Sequence, residues 1–117
     1  RADAVALLAA TRRFALDRPR LFDLMFGRPI TEYAPTPADW LAARRIHDRA
    51  ITVARRYLGS VGSRTPPEDV ALALVALNRG LIATELSGQL GRIEADRDRR
   101  WRAAVDAQLD GYARPSR

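Results

Sequence analysis

The sequence predicts an all-α fold, a five-helix antiparallel bundle-like domain whose last two helices form a four-helix dimer interface. Three observations lead there. Apolar residues recur at 3.6-residue spacing along the chain, while no segment alternates β-branched residues with period two. Thr36-Pro37-Ala38-Asp39 and Thr65-Pro66-Pro67-Glu68 resemble capping boxes, each with a hydroxyl at the N-cap, proline at the first helical position and an acid at the third. Gly27, Gly59 and Gly91 fall where left-handed C-terminal caps belong. The implied helices run over 2–16, 18–26, 37–58, 66–90 and 93–112.

The first two helices meet in the stretch RRFALDRPRLFDLMFGRP. Pro19 forces a corner there, because proline cannot continue the preceding helix. Phe14, Leu21, Leu24, Met25 and Phe26 gather around it, either as ordinary core or as a lid over a cavity. In the third helix Trp40, Ala43, His47, Ala50, Ala54 and Tyr57 form one stripe. That places the single histidine inward, as a buried, satisfied imidazole or as a polar reader in a pocket.

The fourth helix is apolar on nearly all sides over 70–77 and so requires two neighbours. Small residues Ala73, Ala76, Gly80, Ala83, Ser87 and Gly91 line one side, which permits close approach by another helix. Leu74, Leu77, Asn78, Leu81, Ile82 and Glu85 hold the other. Asn78 and Glu85 are candidate polar readers there, or edge residues with water partners. The fifth helix opens with the charged run RIEADRDRRW and then presents Trp101, Ala104, Val105, Gln108, Leu109 and Tyr112. This stripe is narrow, and packing it on the fourth helix of the same chain leaves part of both uncovered. A homodimer is therefore expected, with Gly80, Ala83, Ser87, Leu90, Trp101, Val105 and Leu109 at its interface.

Composition narrows the function. At 117 residues the chain supports one core, and 47% hydrophobic residues spread along it argue against disorder outside the last residues, 114–117. Cysteine is absent, which excludes disulfides and thiolate chemistry. No apolar run approaches the roughly 18 residues that a membrane span needs, and no signal core opens the chain, so a cytoplasmic location is expected. The net charge is +6, with twenty Arg, no Lys and fourteen acids. These charges are interleaved, not gathered into the positive stripe that tracks phosphates, so no DNA contact is expected from this segment. One His, no Lys and no pair of acids in an apolar stretch leave no catalytic constellation or metal-ligand spacing. Neither a catalytic residue, a metal nor a cofactor is expected. The predicted cavity is walled by Phe14, Leu21, Leu24, Met25, Trp40, His47, Ala50, Leu77, Asn78 and Ile82, and its ligand is small and largely apolar. A helical protein-protein interaction module with a solid core would share the same periodicities.

The stretch RRFALDRPRLFDLMFGRP resembles the phenylalanine-alanine, proline, leucine-methionine-phenylalanine-glycine pattern that opens a C-terminal ligand-binding domain of the TetR family of bacterial transcriptional regulators. ALALVALNRGLIATELSG resembles that domain's penultimate helix. It keeps Gly80 and the leucines, but has Val75 and Arg79 where the usual pattern has a tryptophan and a histidine. The resemblance covers nearly the whole chain. It implies an effector-binding and dimerisation domain over 1–113 that controls an N-terminal DNA-binding helix-turn-helix. The chain opens at Arg1 without an initiator Met, so that half is expected to lie outside it.

Overall fold

The computed structural model describes residues 1–26 and 37–113, without the side chains of residues 24–26, 39, 40, 42 and 43. Among the described residues there are five helices and no strand: α1 Ala2–Asp17, α2 Pro19–Phe26, α3 Pro37–Val61, α4 Pro67–Leu86 and α5 Glu94–Ala113. α3 and α4 form the central pair, with α1 packed against both and against α2, and α5 packed against both from elsewhere.

The helix ends show where local chemistry overrides the expected boundaries. α3 runs through Gly59 and stops at Gly62, whose φ of 68° is left-handed. Ser63 N–H donates to Leu58 O at 2.9 Å and Gly62 N–H to Gly59 O at 3.4 Å, the paired bonds of a Schellman cap. α4 ends earlier than expected, by the same device, at Gly88 with φ 80°. Gln89 N–H donates to Thr84 O at 2.9 Å and Gly88 N–H to Glu85 O at 3.0 Å. The caps are thus Gly62 and Gly88, not Gly59 and Gly91, and Gly27 lies outside the described residues. At the start of α4 Pro66 is the N-cap and makes no side-chain capping bond. Thr65 instead pairs its hydroxyl with that of Ser63 at 3.1 Å, so the expected capping box does not form. Thr36 lies outside the described residues. At the Pro19 corner Arg18 N–H still reaches Phe14 O at 2.9 Å, and α2 restarts when Phe22 N–H donates to Arg18 O at 3.0 Å.

One core joins α1, α3, α4 and α5 through Val5, Leu8, Ala54, Tyr57, Leu58, Val70, Leu74, Leu90, Trp101, Val105 and Leu109. This corrects the expected dimer interface. Trp101 is 4% exposed and Val105 and Leu109 are 0% exposed, all within their own chain, and Leu90 is buried beside them. The physical reason is that the narrow stripe of α5 packs against α3 and α4, which bury its centre and leave Ala104, Gln108 and Tyr112 half-buried at its edges. Each such aliphatic side chain contributes on the order of 1.5–3 kcal/mol of burial. Tyr57 ties the layers together by donating its hydroxyl to Leu109 O at 2.6 Å. Gly80, Ala83 and Ser87 remain exposed.

The charged opening of α5 is also structural. Arg100 donates to Leu90 O at 2.7 Å and Arg97 to Arg92 O at 3.0 Å, which fastens the α4–α5 connection onto α5. Arg12 of α1 forks onto Glu85 of α4, Nε to Oε1 at 2.8 Å and Nη2 to Oε2 at 2.9 Å. It also reaches Asp98 at 2.9 Å and lies 5.4 Å from the centroid of the Trp101 ring. The hydrogen bond to Glu85 raises the Arg12 pKa above its ordinary value against the opposing effect of desolvation, with Asp98 adding to the rise. A base so raised stabilises the fold at every pH below its unfolded value and loses that contribution only as pH climbs through the folded one. Arg12 therefore adds no pH dependence near neutrality.

Candidate ligand-binding site

The first four helices leave a half-open apolar pocket of about 340 Å³ between them. Helical spacing explains its walls. Leu7, Leu8, Ala10, Thr11 and Phe14 project from one side of α1, Ile46, Arg49 and Ala50 from α3, and Val75, Asn78 and Arg79 from α4, while Phe22 of α2 closes one end. Beneath Phe14 and Phe22 lie Ala15 and Ile82, both 0% exposed, as a small second core. The pocket sits at the small end of the roughly 300–1,000 Å³ typical of ligand sites.

Phe14, Ala50 and Asn78 of the predicted wall meet in this pocket, whereas Leu21, His47, Leu77 and Ile82 do not line it. His47 is exposed, because the edge of α3 that carries buried Ala54 and Leu58 further along is uncovered at its level among the described residues. Its imidazole faces solvent. Leu21 is 39% exposed and its neighbour Phe22 takes the inward position, a one-residue error in the phase of α2. Leu77 is half-buried outside the pocket, and Ile82 is core below it. The side chains of Leu24, Met25 and Trp40 lie outside the described residues.

Asn78 is more tightly held than a free reader. Its Nδ2 donates to Leu8 O at 3.0 Å, and its Oδ1 accepts from Trp101 Nε1 at 2.8 Å. Both polar ends of this buried amide are thereby satisfied, which burial demands. Glu85 is likewise committed, to Arg12 and, at 3.5 Å, to Arg97. Thr11 donates its hydroxyl to Leu7 O at 3.1 Å. Arg49 and Arg79 also line the pocket, although neither is among the expected wall residues. Their signal was available, since Ile46, Arg49, Ala50 and Val53 share one arc of α3.

A model of the tetracyclin repressor-like C-terminal domain matches residues 4–108. The chain belongs to this family. No curated protein and no solved structure matches it. Tetracyclin repressor-like C-terminal domains belong to transcriptional regulators, which are not enzymes, and an all-α fold suits the family. In this tetracyclin repressor-like domain no group of three metal-ligating side chains comes together among the described residues. No helix among them is long and apolar enough to cross a membrane.

Proposed function

We propose that this chain is the effector-binding and dimerisation domain of a TetR-like transcriptional regulator. It takes a small, largely apolar ligand between α1, α2, α3 and α4, acts in the cytoplasm, and controls DNA binding through an N-terminal helix-turn-helix outside this chain. The observation that carries the ligand reading is the apolar pocket itself, about 340 Å³ of space lined almost wholly by carbon. A well-packed core would not leave it.

Thermal-shift screening of hydrophobic and aromatic compounds tests this reading. A compound that binds only the folded state adds about 2.7 kcal/mol of stability at a hundred times its dissociation constant. Ala50→Phe, which fills the pocket from α3, abolishes the shift of any true hit. If no compound raises the melting temperature, the helical protein-protein interaction module becomes the better reading.

The homodimer is proposed through the outward faces of α4 and α5, not through Trp101. Leu72, 66% exposed, shares an exposed stripe with Ala76, Gly80, Ala83 and Ser87, and α5 offers exposed Ala103, Ala107 and Gly111 at four-residue spacing. Small residues so arranged allow two helix pairs to approach closely. Because Ala83 and Ser87 are exposed within one chain, arginine at both positions leaves the fold intact but buries unpaired charge in the contact, at a cost of several kcal/mol. Sedimentation of the double variant should show monomer where the parent shows dimer; a dimer in both would end this assignment.

A further inference from the structure

We infer that the pocket selects an uncharged hydrocarbon body of about two fused rings and takes no hydrogen-bonding group into its interior. The inference rests on the ligand-binding reading above and specifies the class of ligand that the site accepts. The polar groups of the wall are sorted by depth. Arg49 and Arg79 stand at the mouth, both exposed, and Arg79 already makes an interaction within the fold. Long side chains so placed lend their methylene stems to the wall and keep their guanidinium groups in water. The buried part of the lining is Leu8, Phe22, Ala50 and Asn78.

Asn78, 1% exposed, is the group there that could read an amide or hydroxyl on a ligand. Its bonds close it to that role. Nδ2 donates to Leu8 O at 3.0 Å and Oδ1 accepts from Trp101 Nε1 at 2.8 Å, so a ligand can take either atom only by breaking a bond that holds α1 or α5 in place. Thr11 spends its hydroxyl proton on Leu7 O at 3.1 Å. Among the described residues no buried side-chain nitrogen or oxygen lacks a partner, so the interior holds no polar atom that a ligand would complete. A hydroxyl or charge carried into such a space gives up its water and gains nothing in return. A site built to recognise a hydroxyl differs in kind, because its own buried polar groups go unpaired when that hydroxyl is missing. Volume sets the size of the ligand. A cavity of roughly 150 Å³ accommodates benzene, and this pocket offers about 340 Å³.

The test uses naphthalene, 2-naphthol and naphthalene-2,6-diol, three uncharged probes on one skeleton, each dialysed to equilibrium against the chain at neutral pH and followed by its absorbance. 2-Naphthol can turn its hydroxyl to the mouth, whereas the diol must bury one hydroxyl whichever way it enters. Naphthalene should bind most tightly, with 2-naphthol close behind, and the diol at least about tenfold more weakly than 2-naphthol, as an unmet buried polar group requires. Thr11→Val should change none of these affinities by more than about threefold, since no ligand hydroxyl depends on that oxygen. A diol that binds as tightly as 2-naphthol, or a loss of 2-naphthol binding in Thr11→Val that naphthalene does not share, overturns the inference and leaves the pocket reading intact. Ala50→Phe, or Ala10→Trp at the exposed rim if the first variant fails to fold, should remove binding of all three probes. Binding that survives the blocking variant, or no binding by naphthalene, overturns the pocket reading and this inference with it.

Discussion

Replacing Arg12 with Met will destabilise the domain by roughly 3 kcal/mol, within the range for removing one partner of a buried ion pair. The Glu85 side chain is 6% exposed and that of Arg12 13%, so neither charge can fall back on full hydration. Loss of Arg12 leaves the carboxylate with Arg97 alone, at 3.5 Å, and strips the guanidinium from the Trp101 ring. The cost should be partly reversible. Arg12→Met combined with Glu85→Leu removes both charges and leaves a site of similar volume, a replacement that is often neutral or better. Urea denaturation of the two single variants and the double would show a large favourable coupling between the positions. If the double variant is as unstable as the sum of the singles, Arg12 contributes through its contact with Trp101 and not through the ion pair.

Asn78→Leu should be nearly as damaging, by about 2–3 kcal/mol, although it places an apolar side chain of similar size in an apolar wall. The reason is the partner left behind. Trp101 Nε1, buried with its ring, loses its acceptor at 2.8 Å, and an unsatisfied buried donor costs about 1–3 kcal/mol. The bond that joins Asn78 to Leu8 O on α1 disappears as well. For a chain of this length the melting temperature should fall by about 10 °C. Ser87→Ala, at an exposed position, provides the comparison and should change stability by less than about 0.5 kcal/mol in a monomer. A stable Asn78→Leu variant would mean that the indole finds another acceptor.

These two side chains mark the division between what the sequence discloses and what it hides. Periodicity revealed five helices because each buries one face against neighbours, and proline breaks located the corner at Pro19. The turn chemistry was misjudged where several glycines competed. Gly59 and Gly62 are three residues apart, and only the second adopts the left-handed conformation that a cap uses. Inward and outward faces were separable where apolar residues formed a continuous arc, as at Val53, Ala54, Tyr57 and Leu58. They were not separable at His47, where the arc continues but its covering neighbours do not. Partners were the least legible feature. Nothing local joins Arg12 to Glu85, 73 positions away, and Trp101 could equally have faced a second chain until its hydrogen bond to Asn78 placed it inside. The pocket lay between the expected helices, but most of its lining residues, such as Leu7, Thr11 and Phe22, were not separable from ordinary core or edge positions.

The placement of α1 has a consequence for how the domain forms during synthesis. Leu8 meets Asn78 across 70 positions, and Arg1 meets Asp106 across 105. Within this domain, α1 is thus held by elements that are made well after it. At about 5–20 residues per second, the apolar side of α1 waits roughly 4–14 s after its own emergence before α4 is there to cover it. During that interval Val5, Leu8 and Phe14 are available to any other hydrophobic surface, and α1 is the helix of this domain most exposed to misassociation at the ribosome.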